Sequence, residues 1–341
     1  MRQIWITRHG MPDVFEVREA PDPIPNTGEV RIKVSFSGVN FADVLARMGV
    51  YRDAPPPPTV IGYEVSGVID SLGDDLDSDL LGKRVMALTR FGGYSDTICV
   101  PVNQVFVIPD DMSFEDAAAL PVNAFTAYQM LIAFGRLNAG DKVLIHGAAG
   151  GVGWLAVQMT QILGATAYGT ASPSKHEALY ELGIAECIDY RNKDFVAEVN
   201  RLTDGHGVQL VLDPIGGDYW WKSYQALAPV GRLMLFGQAG MATGKTRNVF
   251  SMAQWIMQVP WLRFNPVRLI DDNKGIIGVN LGTLWDEAPR FAPWATEIIE
   301  WYSNGWLKPR IDNIYVFDEI TKAHHRLQDR QNIGKVLLRP E

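Results

Sequence analysis

Up to about Pro121 the apolar residues fall in short β-rich runs, VRIKVSFSGV, YEVSGVIDSLG, RVMALTRFGGYSDTICVP and QVFVIPDDM, divided by glycine and proline. Strands this short, with turn residues between them, predict an irregular, barrel-like β domain. The four prolines at 55 to 58 read as a stiff connector. Among these runs, SGVNFADVLARMGVY sets Asn40, Asp43, Arg47 and Tyr51 at spacings of three or four in a mostly apolar segment. That spacing predicts a helix on which Asp43 and Arg47, four apart, form a supporting pair.

After Pro121 the pattern changes. SFEDAAALPVNAFTAYQML opens on Ser113 and Asp116, a helix-start signal, and Pro121 breaks or bends the run. KVLIHG, ATAYGTA, ECIDY, VQLVLDP and RLMLFGQ are then short apolar strands separated by helix-like segments such as GVGWLAVQMTQILG and SPSKHEALYELG. Strand and helix in alternation predict an α/β fold of right-handed βαβ units, with a parallel sheet covered on both faces. IIGVNLG reads as another strand and FAPWATEIIEWYSNGWL as a helix. The terminal IYVFDEITKAHHRLQDRQNIGKVLLRP reads as strand, helix and strand that return to complete the first domain. His324 and His325, adjacent on that last helix, are expected to be solvated.

Length and charge then narrow the class. At 341 residues the chain is too long for one ordinary domain and suggests two, each able to bury a core. A net charge of −8 without a long basic run leaves no electrostatic footprint for nucleic acid. The opening MRQIWITRHGMPDVFEV lacks the continuous apolar core of a signal peptide, and no apolar run reaches the roughly 18 to 20 residues that span a bilayer. Cys99 and Cys187 offer neither a disulfide framework nor a cysteine-rich metal site. These features predict a soluble cytoplasmic protein.

The chemistry begins at KVLIHGAAGGVGWLAVQ, where an apolar strand runs into Gly147, Gly150 and Gly153 and a helix follows at once. Glycines there let the backbone, through Gly150, Gly151, Val152 and Gly153, approach a pyrophosphate over the positive end of the helix. Ala148 replaces the first glycine of the common spacing, so the strand-turn-helix context carries much of the assignment. About 20 residues on, where an NAD site usually carries an acid for the ribose hydroxyls, GTASPSKHEAL presents Ser172, Ser174 and Lys175. Hydroxyls and a cation attract a 2′-phosphate, which favours NADPH over NADH. Ser172 also stands before Pro173 as a helix cap would, and the two roles are compatible.

Taken together, GVNFADVLARMGVY, IGYEVSGVI, GGYSDTICVP, AAALPVNAFTAYQML, HGAAGGVG, ASPSKHEAL, DPIGG and IGKVLL resemble the zinc-independent quinone oxidoreductases of the medium-chain dehydrogenase/reductase superfamily. The resemblance covers nearly the whole chain. FADVLARMGVY, SPSKHEALYELG, ATGKTRN and NIGKVLL are most similar to the branch named for the vesicle amine transport membrane protein. It implies a GroES-like irregular β-barrel domain from residues 1–122 and 286–341 around a Rossmann doubly wound domain at 123–285. Where zinc-dependent relatives place a cysteine, a histidine and another cysteine, the matching positions are Asn40, Tyr63 and Val122. An amide, a phenol and an alkyl group make no catalytic zinc site of the usual type, so no metal is expected.

Without a metal, a reacting carbonyl oxygen must be polarised by hydrogen-bond donors. Quinones and enones suit such a site, because hydride addition leaves a delocalised anion. By resemblance Tyr51 and Asn40 are the first donor candidates and Tyr63 the third; whether Tyr51 instead only orders the cofactor stays open. The resemblance also puts Asn40 and Tyr51 beside the cofactor, Thr126 against the nicotinamide and Tyr190 near the adenosine phosphate. Gly216, Phe236, Gly237, Val279, Asn280 and Leu281 follow the later strands and complete the expected cofactor contacts.

FSMAQWIMQVPWLRF at 250–264 supports three readings: core or dimer packing, a lid over an apolar pocket, or a membrane-surface element carrying Trp255 and Trp261 between basic flanks. The expectation is a homodimeric NADPH-dependent oxidoreductase that transfers hydride to a small apolar quinone or conjugated carbonyl. Two alternatives remain open, reduction of the C=C bond of alkenals or enones, and a nucleotide-binding, membrane-associated protein with little turnover.

Overall fold

The computed structural model describes residues 1–242, 257, 259–260 and 263–341. Trp255, Trp261, Lys245 and Arg247 lie outside the described residues, and with them the three readings of 250–264. The strands are β1 (Arg2–Ile6), β2 (Phe15–Glu19), β3 (Glu29–Val39), β4 (Thr59–Val60), β5 (Glu64–Leu72), β6 (Arg84–Leu88), β7 (Thr97–Pro101), β8 (Val105–Val107), β9 (Lys142–His146), β10 (Thr166–Ala171), β11 (Glu186–Asp189), β12 (Val208–Asp213), β13 (Leu227–Leu235), β14 (Gly275–Gly278), β15 (Ile311–Val316) and β16 (Lys335–Arg339). The α-helices are α1 (Phe41–Met48), α2 (Phe114–Ala119), α3 (Pro121–Tyr128), α4 (Gly151–Ile162), α5 (His176–Glu181), α6 (Phe195–Leu202), α7 (Asp218–Gln225), α8 (Pro266–Asp272), α9 (Phe291–Ser303) and α10 (Ile320–Gln328).

Among the described residues the chain forms two compact units, one of Met1–Phe125 with Leu281–Glu341 and one of the intervening residues Thr126 to Asn280. The first contains a sheet in the order β15-β16-β3-β5-β6-β8, with β7 also on β3, and a small sheet β2-β1-β4. Strand β3 organises it. Its register against β5 shifts twice, between Arg31 and Ile32 and between Val34 and Phe36. Such bulges bend and twist a strand. The bent β3 pairs with β7 along Glu29–Lys33 and with β16 along Ser37–Val39, so the sheet curls around a core of Val30, Ile32, Val34, Val65, Ile69, Val85, Ala87 and Val100. The C-terminal strand β16 thus lies in the sheet of the first unit.

Two local expectations about this unit are corrected. His324 is fully buried: its ring packs edge-on to Phe15 with centroids 4.5 Å apart, and its Nε2 is 3.3 Å from the Tyr94 hydroxyl. The inward face of α10 is Ile320, Ala323, His324 and Gln328, a stripe of three- and four-residue steps that takes one of two adjacent histidines and leaves the other in solvent. Nor do Asp43 and Arg47 pair with each other. Asp43 Oδ2 accepts from the Asn40 amide at 2.7 Å, and Arg47 Nη2 donates to Gln328 Oε1 at 2.5 Å. Both side chains are fully buried: Asp43 closes a local capping box with Asn40 at the start of α1, and only Arg47 takes a partner distant in sequence.

The second unit is a six-stranded parallel sheet in the order β11-β10-β9-β12-β13-β14. The order reverses direction between β9 and β12, the place where doubly wound sheets open for ligands. Val143, Leu144 and Ile145 of β9 and Leu210, Val211 and Leu212 of β12 are buried, the continuous apolar runs that a sheet covered on both faces requires.

Candidate active site

Strand β9 ends at His146, and Gly147 turns the chain at φ +65°, a left-handed conformation that glycine adopts without strain. Gly150 then caps the N-terminus of α4. A Cβ on Gly153 would lie 2.4 Å from the Gly147 carbonyl oxygen and 2.7 Å from Ala148 Cα, so only glycine lets the helix start this close to the turn. The first turn of α4, with Gly151, Val152 and Gly153, carries no acidic side chain. Its free N–H groups and the helix dipole suit a phosphate.

The remaining expected cofactor residues follow the C-terminal ends of neighbouring strands. Ser172 and Lys175 follow β10, Tyr190 follows β11, Gly216 follows β12, Phe236 and Gly237 follow β13, and Val279, Asn280 and Leu281 follow β14. At Gly237 an added Cβ would meet the Pro214 carbonyl oxygen at 2.8 Å, so the β12 and β13 turns touch backbone to backbone. Thr126 sits apart from the strand ends, buried on α3. The side chain of Ser172 makes no cap bond, which corrects that expectation. Pro173 has no N–H to offer, and the Lys175 amide is already bound to the Ser172 carbonyl at 2.9 Å, so the backbone closes the turn and leaves the hydroxyl 3.5 Å from Ser174 Oγ.

In the first unit Asn40 precedes α1 and is tied into a buried cluster. Its Nδ2 donates to Glu64 Oε1 at 2.8 Å and, more distantly, to the Gly38 carbonyl at 3.5 Å, and its Oδ1 accepts from Lys335 Nζ at 2.6 Å. Lys335 also pairs with Glu64 Oε1, and Glu64 Oε2 accepts from the Val122 amide at 2.7 Å. The N–H groups of Asn40 thus point to protein acceptors. Sequence reasoning missed Glu64 and Lys335. The available signal was a charge at position 335 in the apolar strand KVLL, which has no reason to be there unless paired.

Tyr63 is buried beside this cluster, with its ring 5.1 Å from Phe91 and 5.9 Å from Tyr51, the latter edge-on. By geometry its hydroxyl meets no hydrogen-bond partner among the described residues. Burial, and then the neighbouring Asp43 and Tyr51, push the Tyr63 pKa far above the usual phenol value, so the group stays a donor. Burial likewise raises Asp43 to about 7. The three positions that the resemblance matches to zinc ligands thus carry an amide bonded to Glu64 and Lys335, a neutral phenol and, at Val122, an alkyl side chain. These do not fit a zinc ion. Among the described residues no cluster of histidine, cysteine and carboxylate side chains is arranged to hold any metal. No helix among them is long and apolar enough to cross a membrane.

Beneath the glycine turn of the second unit lies a buried polar set that the sequence reading did not single out: His146, Thr170, Asp213 and Ser223. His146 and Asp213 end β9 and β12, Thr170 lies one residue before the end of β10, and Ser223 is on α7, positions that sequence treats as boundaries and not as a site.

Comparison with known proteins fits this geometry. Residues 26–110 match the alcohol dehydrogenase GroES-like domain family, and residues 182–338 match the zinc-binding dehydrogenase family. The zebrafish (Danio rerio) synaptic vesicle membrane protein VAT-1 homolog is 39% identical over 343 residues, covering 100% of this chain and 70% of that protein. The CurK enoyl reductase superposes with a TM-score of 0.84 at 30% identity, covering 99% of this chain and 98% of that one. A quinone oxidoreductase from Escherichia coli, solved in complex with NADPH, superposes over 100% of both chains with a TM-score of 0.87 at 26% identity. With its parallel dinucleotide-type sheet, its GroES-like unit and its non-ligating residues at the metal positions, the chain belongs to the medium-chain dehydrogenase/reductase superfamily of oxidoreductases, in the zinc-independent quinone-oxidoreductase-like group that includes the VAT-1 proteins.

Proposed function

We propose that the protein is an NADPH-dependent reductase of quinones or other conjugated carbonyls that works without a catalytic metal. The observation that carries this reading is the pairing of a glycine turn at a helix N-terminus with Ser172 and Lys175, and no carboxylate, at the end of the next strand. Bound NADPH supplies the hydride. The chain's own residues bind and orient: the α4 amides take the pyrophosphate, and Lys175 with the Ser172 and Ser174 hydroxyls takes the 2′-phosphate. Thr126, Tyr190, Gly216, Phe236, Gly237, Val279, Asn280 and Leu281 shape the rest of the cofactor site. Tyr51 donates to the acceptor oxygen, Tyr63 backs it with a second protonated phenol, and Asn40 fixes the base of the site through Glu64 and Lys335.

A conjugated acceptor suits two neutral phenols, since the charge that develops is spread over a ring or an enolate and needs less stabilisation than an alkoxide. The deciding experiment is NADPH consumption across a panel of quinones and enones. Turnover with 9,10-phenanthrenequinone supports the proposal; no turnover with any member sinks it. The similarity to an enoyl reductase favours C=C reduction as the second reading, and identification of the product from an enone separates the two. The third reading, membrane association with little turnover, requires liposome binding that depends on Trp255 and Trp261. We also propose a cytoplasmic homodimer paired through β14, which hydrogen-bonds only β13 among the described strands; a monomeric mass in sedimentation would refute it.

A further inference from the structure

His146 Nε2 is 3.0 Å from Ser223 Oγ, and His146 Nδ1 is 3.0 Å from Thr170 Oγ1. Ser223 Oγ donates to Asp213 Oδ2 at 2.7 Å. A hydroxyl has a single proton, so Ser223 can only accept from His146, and Nε2 must carry the hydrogen. In the neutral ring Nδ1 is then the acceptor, and it must receive the Thr170 hydroxyl proton. Thr170 Oγ1 in turn accepts from the Gly147 amide, at a longer 3.4 Å. Every hydrogen in this chain points the same way, from the Gly147 amide through Thr170, His146 and Ser223 to the Asp213 carboxylate.

Both ends of the chain are turns. Gly147 opens the turn between β9 and α4. The other carboxylate oxygen, Asp213 Oδ1, accepts from the amides of Ile215 at 2.8 Å and Gly216 at 3.3 Å and so shapes the turn after β12. All four linking side chains are buried. The ring of His146 is held edge-on by Phe195 at 4.6 Å from α6 and by Tyr219 at 5.5 Å from α7. Burial lowers the pKa of this histidine, and the Asp213 charge only partly offsets that, so the ring stays neutral and the direction of the chain is kept.

We propose that His146 is a positioning residue, fixed as its Nε2–H tautomer, that holds the Gly147–Gly153 turn and the Asp213–Gly217 turn in one register for the dinucleotide. The proposal rests on the reading of this unit as the NADPH-binding one. Its distinctive consequence is that Thr170, His146 and Ser223 act as links of a single chain: once one link is cut, cutting another costs little more.

The test has two arms. In the protein without cofactor, long-range 1H–15N NMR of the imidazoles should show His146 protonated at Nε2, unprotonated at Nδ1, and not titrating between about pH 5 and 8. The Nδ1–H tautomer, or an ordinary titration, would overturn the assignment. In the second arm, Thr170→Val and Ser223→Ala should each weaken NADPH binding about tenfold, and the double variant should be no weaker than about the worse single one. Additive losses, or unchanged affinity in folded single variants, would overturn the positioning role. His146→Gln, which can donate and accept at the two ends, should recover affinity lost in His146→Leu, and equal loss in both would count against it. If the wild-type chain bound no NADPH, the proposed function would fall while the tautomer measurement still judged the chain of hydrogen bonds.

Discussion

Lys335 and Glu64 form an ion pair in which neither side chain has appreciable contact with water, 3% and 0% exposed. Each charge is also hydrogen-bonded, Lys335 to Asn40 Oδ1 and Glu64 to Asn40 Nδ2 and the Val122 amide. A pair so enclosed contributes little net stability over an apolar replacement, but removing one partner leaves the other buried and uncompensated. Lys335→Met is therefore expected to lower the unfolding free energy by about 3–5 kcal/mol, and Lys335→Met with Glu64→Gln by clearly less. Denaturant titration of the three proteins measures this. Equal losses in the single and the double variant would mean the cost is one of packing.

Tyr51 and Asn40 should separate kinetically. Tyr51→Phe removes a donor without changing shape, so kcat is expected to fall about 100-fold while NADPH affinity stays the same. Asn40→Ala should instead lower stability by about 1–3 kcal/mol, since Glu64 and Lys335 each lose a buried hydrogen-bond partner. If Tyr51→Phe lost NADPH affinity and kept kcat, Tyr51 would be a cofactor clasp.

Lys175→Ala should weaken NADPH by about 10- to 100-fold, the equivalent of one lost charge-assisted hydrogen bond. NADH affinity should change by less than about twofold, since the ribose hydroxyl needs no cation. Titration calorimetry with both nucleotides decides it; equal effects would rule out a contact with the 2′-phosphate.

Asp43 gives the stability a pH dependence of unusual sign. Burial raises its pKa from the ordinary 3.8 to about 7 in the folded chain. Between these values the unfolded chain has released the proton and the folded chain has kept it, so Asp43 makes stability fall as the pH rises through this window. Buried His324, whose pKa burial lowers well below the usual 6.5, acts in the opposite sense and costs stability as the pH falls. Asp43→Asn keeps an acceptor for the Asn40 amide and should remove the first component alone. Unfolding free energies of the two proteins from pH 4 to about 8 should converge toward the acid end and diverge, with the variant above, toward neutrality.

Much of the architecture was legible because it is written in local periodicity. Apolar runs of strand length and the glycine turn at 147–153 follow from backbone sterics and from the need to cover a sheet's faces, and neither depends on distant residues. The chemistry of Asn40, Tyr63 and Val122 is equally local, since an amide, a phenol and an alkyl group are not the thiolate and imidazole ligands of the usual zinc site. What the sequence could not decide is which polar groups meet. Asp43 and Arg47 sit one helical turn apart, yet Asp43 bonds back to the Asn40 amide and Arg47 reaches across to Gln328 of α10. His324 turns inward and His325 outward through a single step of helical phase. Glu64 and Lys335, separated by 271 residues, and the chain from Gly147 to Asp213 exist only once strands distant in sequence lie side by side. A buried donor must find its acceptor in three dimensions, and that search is settled by packing and not by spacing along the chain.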